Sequence, residues 1–186
     1  QNNYESVNVH AVHIGGWYDL SAQGTIEAFM LYNNASSNAR NRQILIMGPW
    51  SHAFTNEHAE LTYPDTEGLP LVEDYMSRIL AEGLEGIAID WDTIPRCFYY
   101  MMGDPGSENS SIEFNHWRNA TSWPLPITYQ PWYLHPDLNL SDSITNDTGQ
   151  QSFLFDPRDP IPYGGGTTLL ERMGPYDQRP FLANRS

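Results

Sequence analysis

Residues Val7-Asn8-Val9-His10-Ala11-Val12-His13-Ile14 alternate apolar with polar positions and then close on apolar ones. That period of two predicts a strand, set in the middle of a sheet. Gly15-Gly16 follows and is expected to end the strand in a sharp turn, since glycine accepts backbone angles that other residues avoid. From Ser21 to Tyr32 the period changes. Ile26, Phe29 and Met30 recur at helical spacing with Ala22 and Ala28, which predicts an amphipathic helix. Asn33 to Asn41 is polar and reads as a loop. Gln43 to Met47, with Ile44, Leu45 and Ile46 in a row, suits a parallel strand covered on both faces. Strand, helix and strand in this order predict a βαβ unit with a right-handed crossover. The carboxyl edge of such a sheet carries the loops after both strands, where open α/β sheets place their sites.

Residues 53 to 70 read as loop, with Pro64 and Pro70. A helix is predicted over Leu71 to Glu82, with Val72, Tyr75, Met76, Ile79 and Leu80 on one side. An irregular connection runs on to Asp92. A domain boundary is expected near Thr93 to Pro95, dividing the chain into residues 1–94 and 95–186. Beyond it the pattern breaks into short strands and turns. Arg96 to Met102 is a strand closed by Gly103-Asp104-Pro105-Gly106; Trp132 to Leu134 and Ser152 to Phe155 are further candidates; Gly164-Gly165-Gly166 is a turn. This half reads as the start of an all-β sandwich. The fold class is therefore α/β followed by β.

Composition narrows the function classes. With 186 residues, the chain is one large domain or parts of two. At 40% hydrophobic and 13% aromatic it is not a disordered tail. No apolar run approaches the ~20 residues of a membrane-spanning helix. The start, Gln1-Asn2-Asn3-Tyr4-Glu5, lacks the pattern of a signal peptide and an initiator Met, as in a mature or cut chain. A net charge of −14 argues against nucleic acid as a partner and against a polybasic contact with membrane. All nine basic residues are Arg. A salt-adapted acidic shell is disfavoured because only 17% of residues are charged. Cys97 stands alone, which excludes an intrachain disulfide and cysteine zinc sites, and its apolar neighbours predict a buried, inert thiol. Asn34, Asn109, Asn119, Asn139, Asn146 and Asn184 each open an Asn-x-Ser/Thr sequon. These favour a secreted location if the source is eukaryotic; otherwise a cytoplasmic or periplasmic one is equally open.

The candidate chemistry lies just past the first two strands. Gly15-Gly16-Trp17-Tyr18-Asp19 ends on a carboxylate, and Gly48-Pro49-Trp50-Ser51-His52 ends on an imidazole. A histidine becomes a good general base when a carboxylate fixes its tautomer and stabilises its imidazolium. In serine hydrolases of α/β type the chain order is nucleophile, acid, base, and Asp19 precedes His52. Spacing alone, however, fits better an Asp that caps the following helix and a surface His. No Gly-x-Ser-x-Gly elbow occurs. Ser51 adjoins His52 and is ill-placed to be its partner, and Ser21 reads as a helix N-cap. His10 and His13 point to opposite faces of a strand, and no spacing joins them with Asp19, His52 or His58 as metal ligands. No metal and no cofactor is implied. His116 and His135 read as structural. Trp117, Trp123, Trp132 and Tyr133 read as packing residues, with a sugar-binding platform as the alternative.

These segments together resemble the cocaine esterase-like, or X-prolyl dipeptidyl-peptidase-like, serine hydrolases, a family that includes α-amino-acid ester hydrolases and glutaryl acylases. The resemblance rests on Val12-His13-Ile14-Gly15-Gly16-Trp17-Tyr18-Asp19, Ile46-Met47-Gly48-Pro49-Trp50-Ser51-His52, Phe155-Asp156-Pro157-Arg158-Asp159-Pro160 with Gly164-Gly165, and Gly174-Pro175-Tyr176-Asp177-Gln178-Arg179-Pro180. It implies the C-terminal part of an α/β-hydrolase sheet followed by an incomplete jelly-roll-like β-sandwich. It makes Asp19 the triad acid and His52 the triad base. The family's nucleophilic Ser and oxyanion-hole Tyr lie upstream, so neither has a counterpart here. Trp17, Tyr18 and Trp50 are expected to brace the two loops. Some relatives carry an aromatic residue two positions past the Asp, lining the acyl pocket; Ser21 stands there in this sequence, so an aryl-acyl preference does not carry over.

The expected function is that of a segment of a serine ester or amide hydrolase. Its substrate is a small-molecule ester or amide, with an X-Pro peptide in the same class. The expected partner is the missing N-terminal part of the hydrolase domain, and the chain alone is expected to be inactive. The alternatives are a non-catalytic β-sandwich binding module and a degenerate, inactive fragment.

Overall fold

The computed structural model describes residues 4–52, 60–64, 68–104, 114–146, 148–150, 152, 154–160, 162, 164–167 and 173–182. After a short 3-10 turn at Tyr4–Ser6 come β1 (Ala11–Tyr18), α1 (Ala22–Asn33) and β2 (Gln43–Ser51). β1 and β2 are parallel, which makes the expected βαβ unit. α2 (Gly68–Glu85) follows, then a 3-10 turn at Trp91–Thr93, β3 (Cys97–Met101) and β4 (His116–Ala120). The sheet order is β1-β2-β3-β4, with β3 parallel to β2 and β4 antiparallel to β3.

Three elements differ from their sequence patterns. β1 does not stop at Gly15-Gly16 but runs through them to Tyr18. A Cβ on Gly15 would stand 3.1 Å from the Met47 sulfur, and one on Gly16 only 2.0 Å from the Trp50 carbonyl oxygen. The glycines serve close approach of the two strands rather than a turn. Nor does β1 lie in the middle of the described sheet, where it forms an edge. α2 begins three residues earlier and ends three later than its apolar stripe, since helix ends follow caps rather than periodicity. At its C-terminus Gly86 takes φ +72, and the Gly86 and Ile87 amides turn back onto the carbonyls of Glu82 and Ala81.

β2 is buried at every position, and its alternation splits the core in two. Ile44 and Ile46 face Val72 and Tyr75 of α2, together with Trp91 and Phe98. Leu45 and Met47 face Phe29 of α1 and Cys97. Each such aliphatic side chain contributes ~1.5–3 kcal/mol by leaving water. Between the layers His13 bonds Gln43 Oε1 at 3.0 Å, while the Gln43 amide donates to the carbonyls of Val9 and Ala39. Burial holds the His13 imidazole below its ordinary titration range, against the opposing hydrogen bond to Gln43.

The second half contributes β3 and β4 to this same sheet. Hydrogen bonds therefore cross the Thr93–Pro95 region, and the chain forms two compact units, residues 1–123 with 163–186, and residues 124–162. Within the first unit, Gly166 and Gly174 exchange both backbone hydrogen bonds, and a one-turn α3 (Arg179–Leu182) follows. The described part of the second unit contains one hairpin, β5 (Tyr133–Leu134) with β6 (Leu140–Ser141). The candidate strand at Ser152–Phe155 lies partly outside the described residues. Of the tryptophans, Trp117 packs on Trp50 and Tyr100, and Trp123 on Trp17 and Tyr99, while Trp132 is exposed. No helix among the described residues is long and apolar enough to cross a membrane.

Candidate active site

The site is built by a slip in strand register. Gly16 stands opposite Gly48, and the next paired positions are Tyr18 and Ser51. Over that interval β1 advances two residues and β2 three. The extra residue is a β-bulge, and Trp50 fills it by turning its indole over Gly48, whose Cβ would meet the ring at 2.4 Å. With Tyr18 level with Ser51, the residues that follow, Asp19 and His52, emerge side by side at the carboxyl ends of adjacent parallel strands.

His52 Nδ1 lies 3.2 Å from both carboxylate oxygens of Asp19. An ionised carboxylate only accepts, so Nδ1 carries the proton and Nε2 is the ring nitrogen free to accept one. The Asp19 side chain is 13% exposed and that of His52 57%: the acid is sheltered and the base faces outward. Asp19 is itself held by the chain around it. Its amide donates to the Gly16 carbonyl at 3.0 Å, its Oδ1 accepts from the Ser21 amide at 2.7 Å, and its carbonyl accepts from the Ala22 amide at 3.1 Å. The capping reading of Asp19 thus has structural content too, because the same carboxylate serves the entry to α1 and the imidazole. Ser21 stands at the N-cap position of α1 but makes no capping hydrogen bond through its side chain.

The neighbouring aromatics are held by separate contacts. Trp17 Nε1 donates to the Tyr100 carbonyl at 2.9 Å, tying the end of β1 to β3. Trp50 is buried among the α2-side core. Tyr18 stacks on Tyr63, with ring centroids 6.5 Å apart and the two hydroxyls at 3.4 Å. Burial and the Tyr63 hydroxyl raise the Tyr18 phenol above its ordinary range. Ser51 is buried as the last residue of β2. His58 lies outside the described residues, and among the described ones no three His, Cys, Asp or Glu side chains gather as a metal site requires.

Two groups escaped the sequence reading. Tyr63 was hidden in a stretch with no periodicity, and its only signal was an aromatic residue just before Pro64. The other is a network at the amino end of β1. His10 Nδ1 bonds Glu82, His10 Nε2 accepts from Arg42 at 3.2 Å, and Trp91 Nε1 donates to Glu82 at 3.3 Å. Burial alone would raise the Glu82 carboxyl, but the bonds from His10 and Trp91 outweigh it and hold it below its ordinary value. With Nε2 engaged by Arg42, His10 has no ring nitrogen to offer a substrate.

A mixed α/β sheet with an acid–base pair at the ends of parallel strands is consistent with a partial α/β-hydrolase-like region. The chain is 31% identical over 189 residues to a cocaine esterase from Rhodococcus sp., an alignment covering 91% of this chain and 30% of that protein. It is 25% identical over 146 residues to provisionally named serine esterases of Mycobacterium bovis and Mycobacterium tuberculosis, covering 76% of this chain and 20% of each. The chain therefore spans less than a third of the length of these curated relatives. The homology is thus to part of proteins named as esterases. No protein-family model matches the chain.

Proposed function

We propose that this chain supplies the acid and base of a Ser-His-Asp triad in a hydrolase of small-molecule esters or amides. The observation that carries the reading is the hydrogen bonding of His52 Nδ1 to the sheltered Asp19 carboxylate at 3.2 Å, with Nε2 left for a nucleophile. The serine belongs to a polypeptide portion outside this chain. Its hydroxyl oxygen attacks the acyl carbonyl carbon as its proton passes to His52 Nε2. The imidazolium, stabilised by Asp19, returns that proton to the leaving alkoxide or amine as the carbon–heteroatom bond breaks. Water repeats the sequence on the acyl-enzyme, releasing the acid and restoring the serine. Trp17, Tyr18 and Trp50 brace the two loops. Ser21 takes the acyl-pocket position, so an aryl-acyl preference does not carry over.

Division into a hydrolase part (1–94) and a jelly-roll-like β part (95–186) belongs to the same proposal, with β3 and β4 at the join. The chain alone is expected to turn over no ester. In a polypeptide joining it to a serine-bearing hydrolase portion, Asp19→Asn or His52→Ala should each lower kcat ~10³-fold or more, because triad members act as a unit. Near-normal hydrolysis of a chromogenic ester by both variants would sink the assignment.

A further inference from the structure

The peptide from Glu60 to Pro64 has a place that the acid–base pair alone does not account for. Its Tyr63 is 8% exposed. The ring stacks on Tyr18, the last residue of β1, and meets the edge of the Tyr100 ring of β3 at 6.0 Å. The Tyr100 hydroxyl donates to the Pro64 carbonyl, so β3 grips the same peptide twice. From its other side the peptide is tied to the C-terminal motif. The Leu61 amide donates to the Pro175 carbonyl at 3.1 Å, and Glu60 Oε2 accepts from the Asp177 amide at 3.0 Å. The Gly165–Gly174 contact, too close for any Cβ on Gly165, shapes that motif where it meets Tyr176. A splint thus runs from residues 174–177 through residues 60–64 to Tyr18.

Tyr18 is the final position at which β1 is in register with β2. One peptide further on, Asp19 leaves the sheet. Strand ends fray unless something covers them, and a displacement of about 1 Å is enough to undo a working geometry. The Tyr18 ring has Tyr63 as its stacking partner, so Tyr63 covers the end of β1 on the side where Asp19 leaves the sheet.

We propose that Tyr63 is a positioning residue for the Asp19–His52 pair: its ring, clamped between Tyr18 and Tyr100 and backed by residues 174–177, keeps the Asp19 carboxylate in hydrogen-bonding reach of His52 Nδ1. The proposal rests on the acid–base reading above. It also gives the Gly174-Pro175-Tyr176-Asp177 motif a task at the site, although the motif follows Asp19 far down the chain.

The test uses the full 186-residue chain and needs no turnover. The ¹⁵N shifts of the neutral His52 ring report which nitrogen carries the proton. The intact chain should hold the Nδ1–H tautomer, and Asp19→Asn should abolish that preference. Tyr63→Phe keeps the ring and should keep the wild-type ratio. Tyr63→Leu should lower the Nδ1–H to Nε2–H ratio about fivefold, as expected for losing a hydrogen bond of ordinary net strength, with the amide signals of β2 unchanged. An unaltered ratio in a folded Tyr63→Leu chain overturns the proposal and leaves the pair standing. No tautomer preference in the wild type, or none lost in Asp19→Asn, overturns the pair itself. If Tyr63→Leu does not fold, Glu60→Ala decides from the exposed end of the splint: a shift toward Nε2–H supports the role of Tyr63, and no shift removes it.

Discussion

At the scale of single residues, the site depends on atoms that are missing as much as on those present. Gly16 has no Cβ, and the Trp50 carbonyl oxygen occupies the space one would need. Gly16→Ala must push β1 from β2 at the step where register slips, so we expect a loss of at least ~3 kcal/mol, the upper end of overpacking costs, together with loss of the His52–Asp19 hydrogen bond. Urea unfolding of the variant measures the first and the His52 ring shifts the second; a change under 1 kcal/mol by the same scale contradicts the reading. His13 makes a separate prediction. Its folded titration point lies below the ordinary histidine value of 6.5, so the unfolded chain binds the proton more readily. Well above pH 6.5 neither state is charged and His13 has no effect. As pH falls through 6.5 the unfolded state gains a proton that the folded state refuses. Stability falls until the folded His13 also titrates, and then levels. Thermal unfolding between pH 8 and pH 5 checks this: His13→Gln should flatten the decline relative to the wild type, and an unchanged slope counts against it.

At the scale of elements, helix α2 carries an avoidable weakness. Gly83 lies within it, and a Cβ there would meet nothing within 4 Å. Gly83→Ala should stabilise the chain by ~0.5–1 kcal/mol, through lower backbone entropy in the unfolded state; a loss of stability in urea unfolding would mean that the site is not the open helical one described. The same elements separate what the sequence made legible from what it hid. β1, α1, β2, α2 and β3 were readable because each buries apolar residues at its own period, and the pairing of Asp19 with His52 was readable as a placement because each directly follows one of two adjacent strands. The continuation of β1 past Ile14 was not, since two glycines carry no hydrophobic signal and look alike whether they turn a chain or let two strands touch. β4 was missed because His116-Trp117-Arg118-Asn119-Ala120 has a mostly polar edge-strand composition and forms only against β3. Tyr63 was missed because its packing partners come from Tyr18 and Tyr100, remote in sequence, and no local pattern encodes them.

For the molecule as a whole, charge is the widest-ranging property. A net charge of −14 on 186 residues repels itself more when compact than when unfolded. Salt shortens the screening length from ~30 Å at 0.01 M to ~8 Å at 0.15 M. Relief of about 1 kcal/mol by such screening would raise Tm by ~2–4 °C for a chain of this size. A calorimetric scan in rising NaCl should show that increase; a flat or falling Tm would mean that local ion pairs outweigh the overall repulsion. Among the described residues, Arg158–Asp156 and Arg179–Asp177 each involve an Arg side chain 89% exposed, a kind of pair that contributes little for salt to remove. Apolar exposure is the second property at this scale. Leu134, Leu138, Ile144, Leu154 and Phe155 are all largely exposed in residues 124–162, which makes that unit the part of the chain most prone to self-association.

The buried thiol of Cys97 gives the sheet its own clock. It has no exposed surface, sits where β3 faces Leu45 of β2 and Ala120 of β4, and is pushed up to about 12 by burial. A thiol reagent in solution therefore meets no thiolate while the sheet is closed. Because the chain has one cysteine, every labelling event reports an opening that uncovers the α1 side of the sheet around Cys97. The rate of that single covalent step, followed against reagent concentration, reads the frequency and free energy of opening at the centre of the sheet that carries Asp19 and His52.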